Sequence, residues 1–181
     1  FTFVSTIASG SDDKELMAVD NNPASPFYGR LYVAWTDFGS GARIYSTFST
    51  NAGATWSAQL ALSAAGIDVQ GAWPAVAPNG DVWVAWVRWN PWPSGPMDVE
   101  VARSTNGGTS YTLVANPMTG GGNPQDATAT GNCGRPALKG NIRYLPSPQI
   151  AVGPDGAIHV IYAKDPDGMG SGDVVNSYYR R

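Results

Sequence analysis

Short apolar runs recur along the chain, each bounded by Gly, Pro, Asn or Asp. The three clearest are Leu31-Tyr32-Val33-Ala34-Trp35, Val82-Trp83-Val84-Ala85-Trp86 and Ile158-His159-Val160-Ile161-Tyr162. Each follows a turn: Pro26-Phe27-Tyr28-Gly29, Pro78-Asn79-Gly80-Asp81 and Pro154-Asp155-Gly156-Ala157. Asn-Gly and Asp-Gly between apolar runs mark hairpins, because these residues tolerate positive φ. Another short run precedes each turn, at Glu15 to Asp20, Trp73 to Ala77 and Gln149 to Val152. Helical periodicity is weak, and Gly and Pro interrupt every window.

The pattern predicts a repeated four-stranded antiparallel unit. Strand A leads through a short turn to strand B, and a loop of varying length leads to strand C. Strand C reads Arg43 to Phe48, then Val99 to Arg103, then Val174 to Tyr179. An octet turns C into strand D, expected at Trp56 to Leu62 and Tyr111 to Val114. The octets are Ser49-Thr50-Asn51-Ala52-Gly53-Ala54-Thr55-Trp56 and Ser104-Thr105-Asn106-Gly107-Gly108-Thr109-Ser110-Tyr111, starting 55 residues apart. Both fit Ser-x-Asn-x-Gly-x-(Thr/Ser)-aromatic. In such a turn the Asn can make an Asx-type bond, the Gly can take positive φ and the aromatic can bury a ring.

These octets resemble the Asp-box, or BNR repeat, of sialidases and related β-propellers, and the resemblance covers nearly the whole chain. The segment Asp13 to Asp20, followed by Ser25-Pro26-Phe27-Tyr28-Gly29, is similar to the first blade of bacterial extracellular proteins of that kind. The resemblance implies an all-β propeller of four-stranded blades, with Ser49, Asn51, Gly53, Thr55, Trp56, Ser104, Asn106, Gly108, Ser110 and Tyr111 in a structural role. It also implies that the octets lie opposite the functional face. The sialidase motif Arg-Ile-Pro is not matched: Arg43-Ile44 is followed by Tyr45. The three carboxylate-binding arginines, the Tyr/Glu nucleophile pair and the acid Asp find no counterparts at named positions.

The expected layout is an outer strand at 1–8, a first blade at 9–62, a second at 63–116, a long insert at 117–148 and an incomplete third blade at 149–181. Closed propellers have roughly 4–8 blades. About three are legible here, so the expectation is that the remaining blades come from the same longer chain or from another copy. Phe1 in place of an initiating Met points the same way, to an upstream segment.

Composition narrows the function. Charged residues make up 14% and the formal net charge is −3, with 22 Gly and 14 Pro; the sequence pI is near 4.9. No basic field exists to steer phosphates, which argues against nucleic acid or an anionic membrane surface as partner. No apolar run has the length of a membrane span. Cys133 is the only cysteine, so no intrachain disulfide forms, and the only histidine, His159, falls in a strand. A Cys–His nucleophile is therefore disfavoured.

The candidate binding face is made of the B–C loops, Asp37 to Ala42, Arg88 to Asp98 and Lys164 to Asp173. The D–A loops, Ser9 to Lys14, Ser63 to Ala72 and Ala115 to Pro148, complete it. Variable loops on a constant scaffold are where sites are built. Trp89 and Trp92 on a Pro-stiffened loop can stack on sugars with Arg88 as donor, or else pack under a neighbouring loop. Asp12, Asp13 and Glu15 can hold a cation or act as acid and base, or else Asp13 and its neighbours pair with Lys14. Arg135, with Lys139 and Arg143, can bind a carboxylate or remain solvated. Asp165, Asp167 and Asp173 resemble the start of a calcium loop, but the later Glu of an EF-hand is missing and a plain turn explains them. No cofactor is required; calcium is the one candidate. The leading expectation is an extracellular or cell-surface module that binds glycan or another polymer without catalysis. The alternative is a fragment of an exo-sialidase-type glycoside hydrolase.

Overall fold

Each of the three Pro- and Gly-containing turns closes an antiparallel hairpin. In the computed structural model, β1 (Asp12–Val19) pairs with β2 (Leu31–Asp37), β5 (Val69–Val76) with β6 (Val82–Trp89), and β12 (Gln149–Val152) with β13 (Ile158–Lys164). The structure describes residues 2–89, 97–114, 147–164 and 176–181, together with the backbone of three short strands between 129 and 143. Every regular element among the described residues is a strand, and the fold is all-β.

The order within each sheet follows the chain. The first sheet is β1-β2-β3-β4, with β3 at Arg43–Ser49 and β4 at Leu60–Ala61. The second is β5-β6-β7-β8, with β7 at Met97–Ser104 and β8 at Thr112–Leu113. The third is β12-β13-β14, with β14 at Asn176–Arg180. A small sheet, β11-β10-β9, lies between the second and third in sequence, from β9 (Ala129–Thr130), β10 (Pro136–Leu138) and β11 (Ile142–Arg143).

The second sheet is buried on both sides, as the period of two along a strand permits. Val84 and Trp86 of β6 pack with Ala102, Val69 and Ala72 against Ala34 and Ile44 of the first sheet. Ala85, with Val99 and Val101, packs against Ile150, Val160 and Tyr162 of the third. Burying the Val and Ile side chains among them contributes about 1.5–3 kcal/mol each. The first strands lie next to one another, β1 on β5 and β5 on β12.

Three expectations are corrected in detail. Strand D is shorter than Trp56 to Leu62, because the Ser57 hydroxyl takes over part of the ladder: Phe48 N donates to Ser57 Oγ at 3.1 Å, and Thr47 Oγ1 donates to Ser57 O at 2.9 Å. Strand A starts earlier than Glu15 or Trp73, because a bulge lets pairing resume beyond it at Asp12–Asp37 and Val69–Arg88. The bulges centre on Lys14 (φ 58°) and Gly71 (φ 73°). Residues 2–9 form no strand. Instead Ser5 ties them to the first octet: Trp56 Nε1 donates to Ser5 Oγ at 3.0 Å, and Ser5 Oγ donates to Gly53 O at 2.5 Å. This segment runs by the outer face of the first sheet, where Val33 and Trp35 are almost fully buried while Met17 and Val19 remain exposed.

Candidate functional site

The two ends of the stacked sheets differ in chemistry. At one end the hairpin turns and the octets meet. Both octets have the same bonds: Thr55 N donates to Asn51 Oδ1 at 2.9 Å, and Ser110 N to Asn106 Oδ1 at 3.0 Å. Asn51 Nδ2 reaches Thr55 Oγ1 and Asn106 Nδ2 reaches Ser110 Oγ. Ser49 Oγ and Ser104 Oγ each accept from the Gly at the fifth position, Gly53 N and Gly108 N, at 2.9 Å. Those glycines have φ of 83° and 85°, a region closed to other residues at low cost. Trp56 and Tyr111 keep only a minority of their surface exposed, and Tyr111 packs against the core shared by the first two sheets. Burial pushes the Tyr111 hydroxyl up to about 12, against the opposing effect of its contact with Ser46. The Ser, Asn and Thr/Ser side chains that define the octet are engaged within their own turn.

Among the described residues, the opposite end carries the loop after β2 and the segment that leads into β5. Here Phe38 and Ala42 from the loop after β2 meet Asp68, Val69 and Gln70 at the start of β5, around a cleft of 240 Å³. The Asp37 carboxylate shapes the first of these loops. The Ser40 hydroxyl and the N–H groups of Gly39 and Ser40 donate to it, and they hold its carboxyl below the ordinary range. Phe38, next in sequence, is 40% exposed. Gln70 is 6% exposed, and among the described residues its Oε1 is buried without a hydrogen-bond partner. An unpaired buried acceptor costs about 1–3 kcal/mol. The bulge at Gly71, whose N–H donates to Thr36 Oγ1, directly follows Gln70.

The residues singled out in the sequence fare unevenly. Arg88 and Trp89 belong to β6 rather than to a loop. Trp89 is 2% exposed, so its ring is packed and offers no stacking face. Arg88 is clamped on β7, with Nη2 at 3.2 Å from Asp98 Oδ2 and Nη1 at 3.1 Å from Glu100 Oε1. Glu100 also accepts from Trp86 Nε1 at 2.8 Å. Asp13 pairs with Lys14 at 2.5 Å, as in the ion-pair reading. Asp12 and Glu15 line a separate cleft with Ser5, Ile7 and Trp35. Among the described residues, no group of three or more His, Cys, Asp or Glu side chains is gathered to hold a metal. Trp92, Cys133, Arg135, Asp165, Asp167 and Asp173 lie outside the described residues. The side chains of Lys139 and Arg143 do too.

Phe38, Asp68 and Gln70 were not singled out individually. They do fall in two of the loops the repeat assigns to one face, Asp37 to Ala42 and Ser63 to Ala72. The signal that could have found them is the break in strand A at Gly71, in register with Lys14 of the preceding unit.

No helix among the described residues is long and apolar enough to cross a membrane. No known family matches this chain, and no curated protein matches it.

Proposed function

We propose that the chain is an extracellular, carbohydrate-binding module of the Asp-box propeller kind, and that its sugar site is the cleft of Phe38, Ala42, Asp68, Val69 and Gln70. The propeller reading is supported by three sheets that run outward in chain order from adjacent first strands. Turns and octets gathered at one end support it further. The remaining blades come from a longer chain or from another copy.

The observation that carries the site is the buried, partnerless Gln70 Oε1 beside an exposed Phe38 ring. Gln70 lines the cleft, and a turn of its side chain toward it would give this acceptor the donor it lacks, a sugar hydroxyl. The C–H face of a pyranose fits an aromatic ring, and Asp68 supplies a further acceptor at the rim. A cleft of 240 Å³, below the roughly 300 Å³ at which ligand pockets usually begin, takes a single sugar unit rather than a long polymer segment.

Titration calorimetry with neutral mono- and oligosaccharides tests this. Binding is expected in the native protein and is lost in Phe38→Ala and in Gln70→Leu, with Tm unchanged or raised in the latter. Binding that survives both substitutions removes the site. Turnover of a fluorogenic sialoside would replace the module by a glycosidase.

A further inference from the structure

We propose that the cleft between the turn ends of the second and third sheets is a seat for an octet turn of the kind that fills the equivalent seat on the first sheet. The chain contains one such seat already filled. The tip of the second octet, Gly107–Gly108, rests on the turn end of the first sheet. Arg30 Nη1 donates to Gly107 O at 2.5 Å. The Arg30 guanidinium lies 4.8 Å from the Phe27 ring centre and 4.5 Å from that of Phe48. A Cβ at Gly108 would come to 3.1 Å from Tyr32 and 3.2 Å from Phe48, so only a glycine tip sits this close. The seat is thus Phe27, Arg30, Tyr32 and Phe48.

One sheet further on, strand register supplies the equivalent set. Tyr32 stands opposite Phe48, and Trp83 stands opposite Arg103. Arg30 and Asp81 each follow the turn glycine, and Phe27 and Pro78 each precede it by two positions. Pro78, Asp81, Trp83 and Arg103 line an open cleft of 520 Å³, closed on its far side by Pro154 and Asp155 of the third sheet. A guanidinium again covers an aromatic ring, with Arg103 at 5.1 Å from the Trp83 ring centre. Arg103 Nε donates to Asp81 Oδ2 at 2.9 Å, and its Nη2 pairs with the same carboxylate. Among the described residues its Nη1 has no partner, which leaves a donor for an incoming carbonyl.

The register of β14 delivers the turn to this place. Val84 pairs with Ala102, two residues before the octet begins at Ser104, and Val160 pairs with Arg180. An octet joined to β14 in phase with the other two would therefore occupy the position directly after Arg181. Arg181 itself reaches Asp155 at 2.6 Å, at the rim of the cleft. The occupant is defined by chemistry: Ser-x-Asn-x-Gly-x-(Thr/Ser)-aromatic, with a glycine at the fifth position.

The test adds a copy of residues 104–114 after Arg181 of the full chain, and compares it with an addition of the same composition in scrambled order. The octet addition is expected to raise Tm by about 3–6 °C for a chain of this size, and the scrambled one to leave it unchanged. Valine at the fifth position of the added octet cancels the gain, as does Arg103→Ala in the extended chain. Arg103→Ala without the addition is the folding control. Equal Tm for the two additions, or a gain that survives both substitutions, overturns the proposal.

Discussion

Arg30 of the first sheet donates to the Gly107 carbonyl of the second, 77 residues away in sequence, at 2.5 Å. The same guanidinium is stacked between Phe27 and Phe48. Two units that share a repeat are therefore joined by a residue outside it. Arg30→Ala is expected to destabilise the protein by about 1–3 kcal/mol, through one charge-assisted hydrogen bond and two cation–π contacts. Arg30→Lys recovers only part of the loss, since an ammonium cannot lie flat between two rings. Urea unfolding of the three proteins measures this, and a loss below ~0.5 kcal/mol for Arg30→Ala contradicts it.

The fourth position of the octet has positive φ in both copies, 55° at Ala52 and 66° at Gly107. An alanine there is strained and a glycine is not. Ala52→Gly is expected to stabilise the protein by about 0.5–1 kcal/mol, since relief of left-handed strain exceeds the added chain entropy. Gly107→Ala is expected to destabilise it, because the new methyl would meet Phe27 Cδ1 at 2.7 Å as well as Arg30. Opposite signs at equivalent positions are the point of the comparison; equal signs would refute it.

Asp20 is 1% exposed and holds its turn together. The Ser25 hydroxyl and the Asn22 N–H both donate to its carboxylate. Ser25→Ala removes the closer donor and leaves a buried carboxylate short of a partner, at a cost of about 1–3 kcal/mol. Asp20→Asn in the Ser25→Ala background should recover part of it, as a neutral amide tolerates burial better. A double-mutant cycle without coupling would show that the two residues act independently.

The Asp37 carboxyl is held low chiefly by the Ser40 hydroxyl, then by the Gly39 and Ser40 N–H groups. A depressed folded value means that this support is fully present above the ordinary value of about 3.9 and is lost as pH falls through the lower folded value. The loop at Phe38 should therefore keep its shape, and the sugar site its affinity, down to about pH 4. Amide shifts of Gly39 and Ser40 followed by NMR should titrate below that. A midpoint at or above it would mean that these bonds do not form.

Much of the scaffold was legible because its determinants are local. The apolar runs at Leu31, Val82 and Ile158 are strands, and the Pro- and Gly-containing turns before them set their pairing. The octets could be read to the atom, since Asn51 and Asn106 bond within four residues of themselves. Trp89 was misjudged because Pro91 and Pro93 read as loop residues, while β6 runs as far as Trp89 and buries its ring. The cleft at Gln70 was not legible residue by residue. Phe38, Asp68 and Gln70 are single positions on two segments, and what groups them is a bulge, which leaves only one glycine as its trace.

β6 faces two cores at once, with Val84 and Trp86 committed to one side and Ala85 to the other. Its chemistry is nearly the same on either side, so identity alone cannot tell the strand which way to stand. Parity does. The count of residues in the Pro78-Asn79-Gly80 hairpin fixes which positions are even, and a single inserted residue there would hand every side chain of β6 to the wrong neighbour. A two-residue insertion would return each to its own. The middle sheet should therefore forgive a change of letter far more readily than a change of frame.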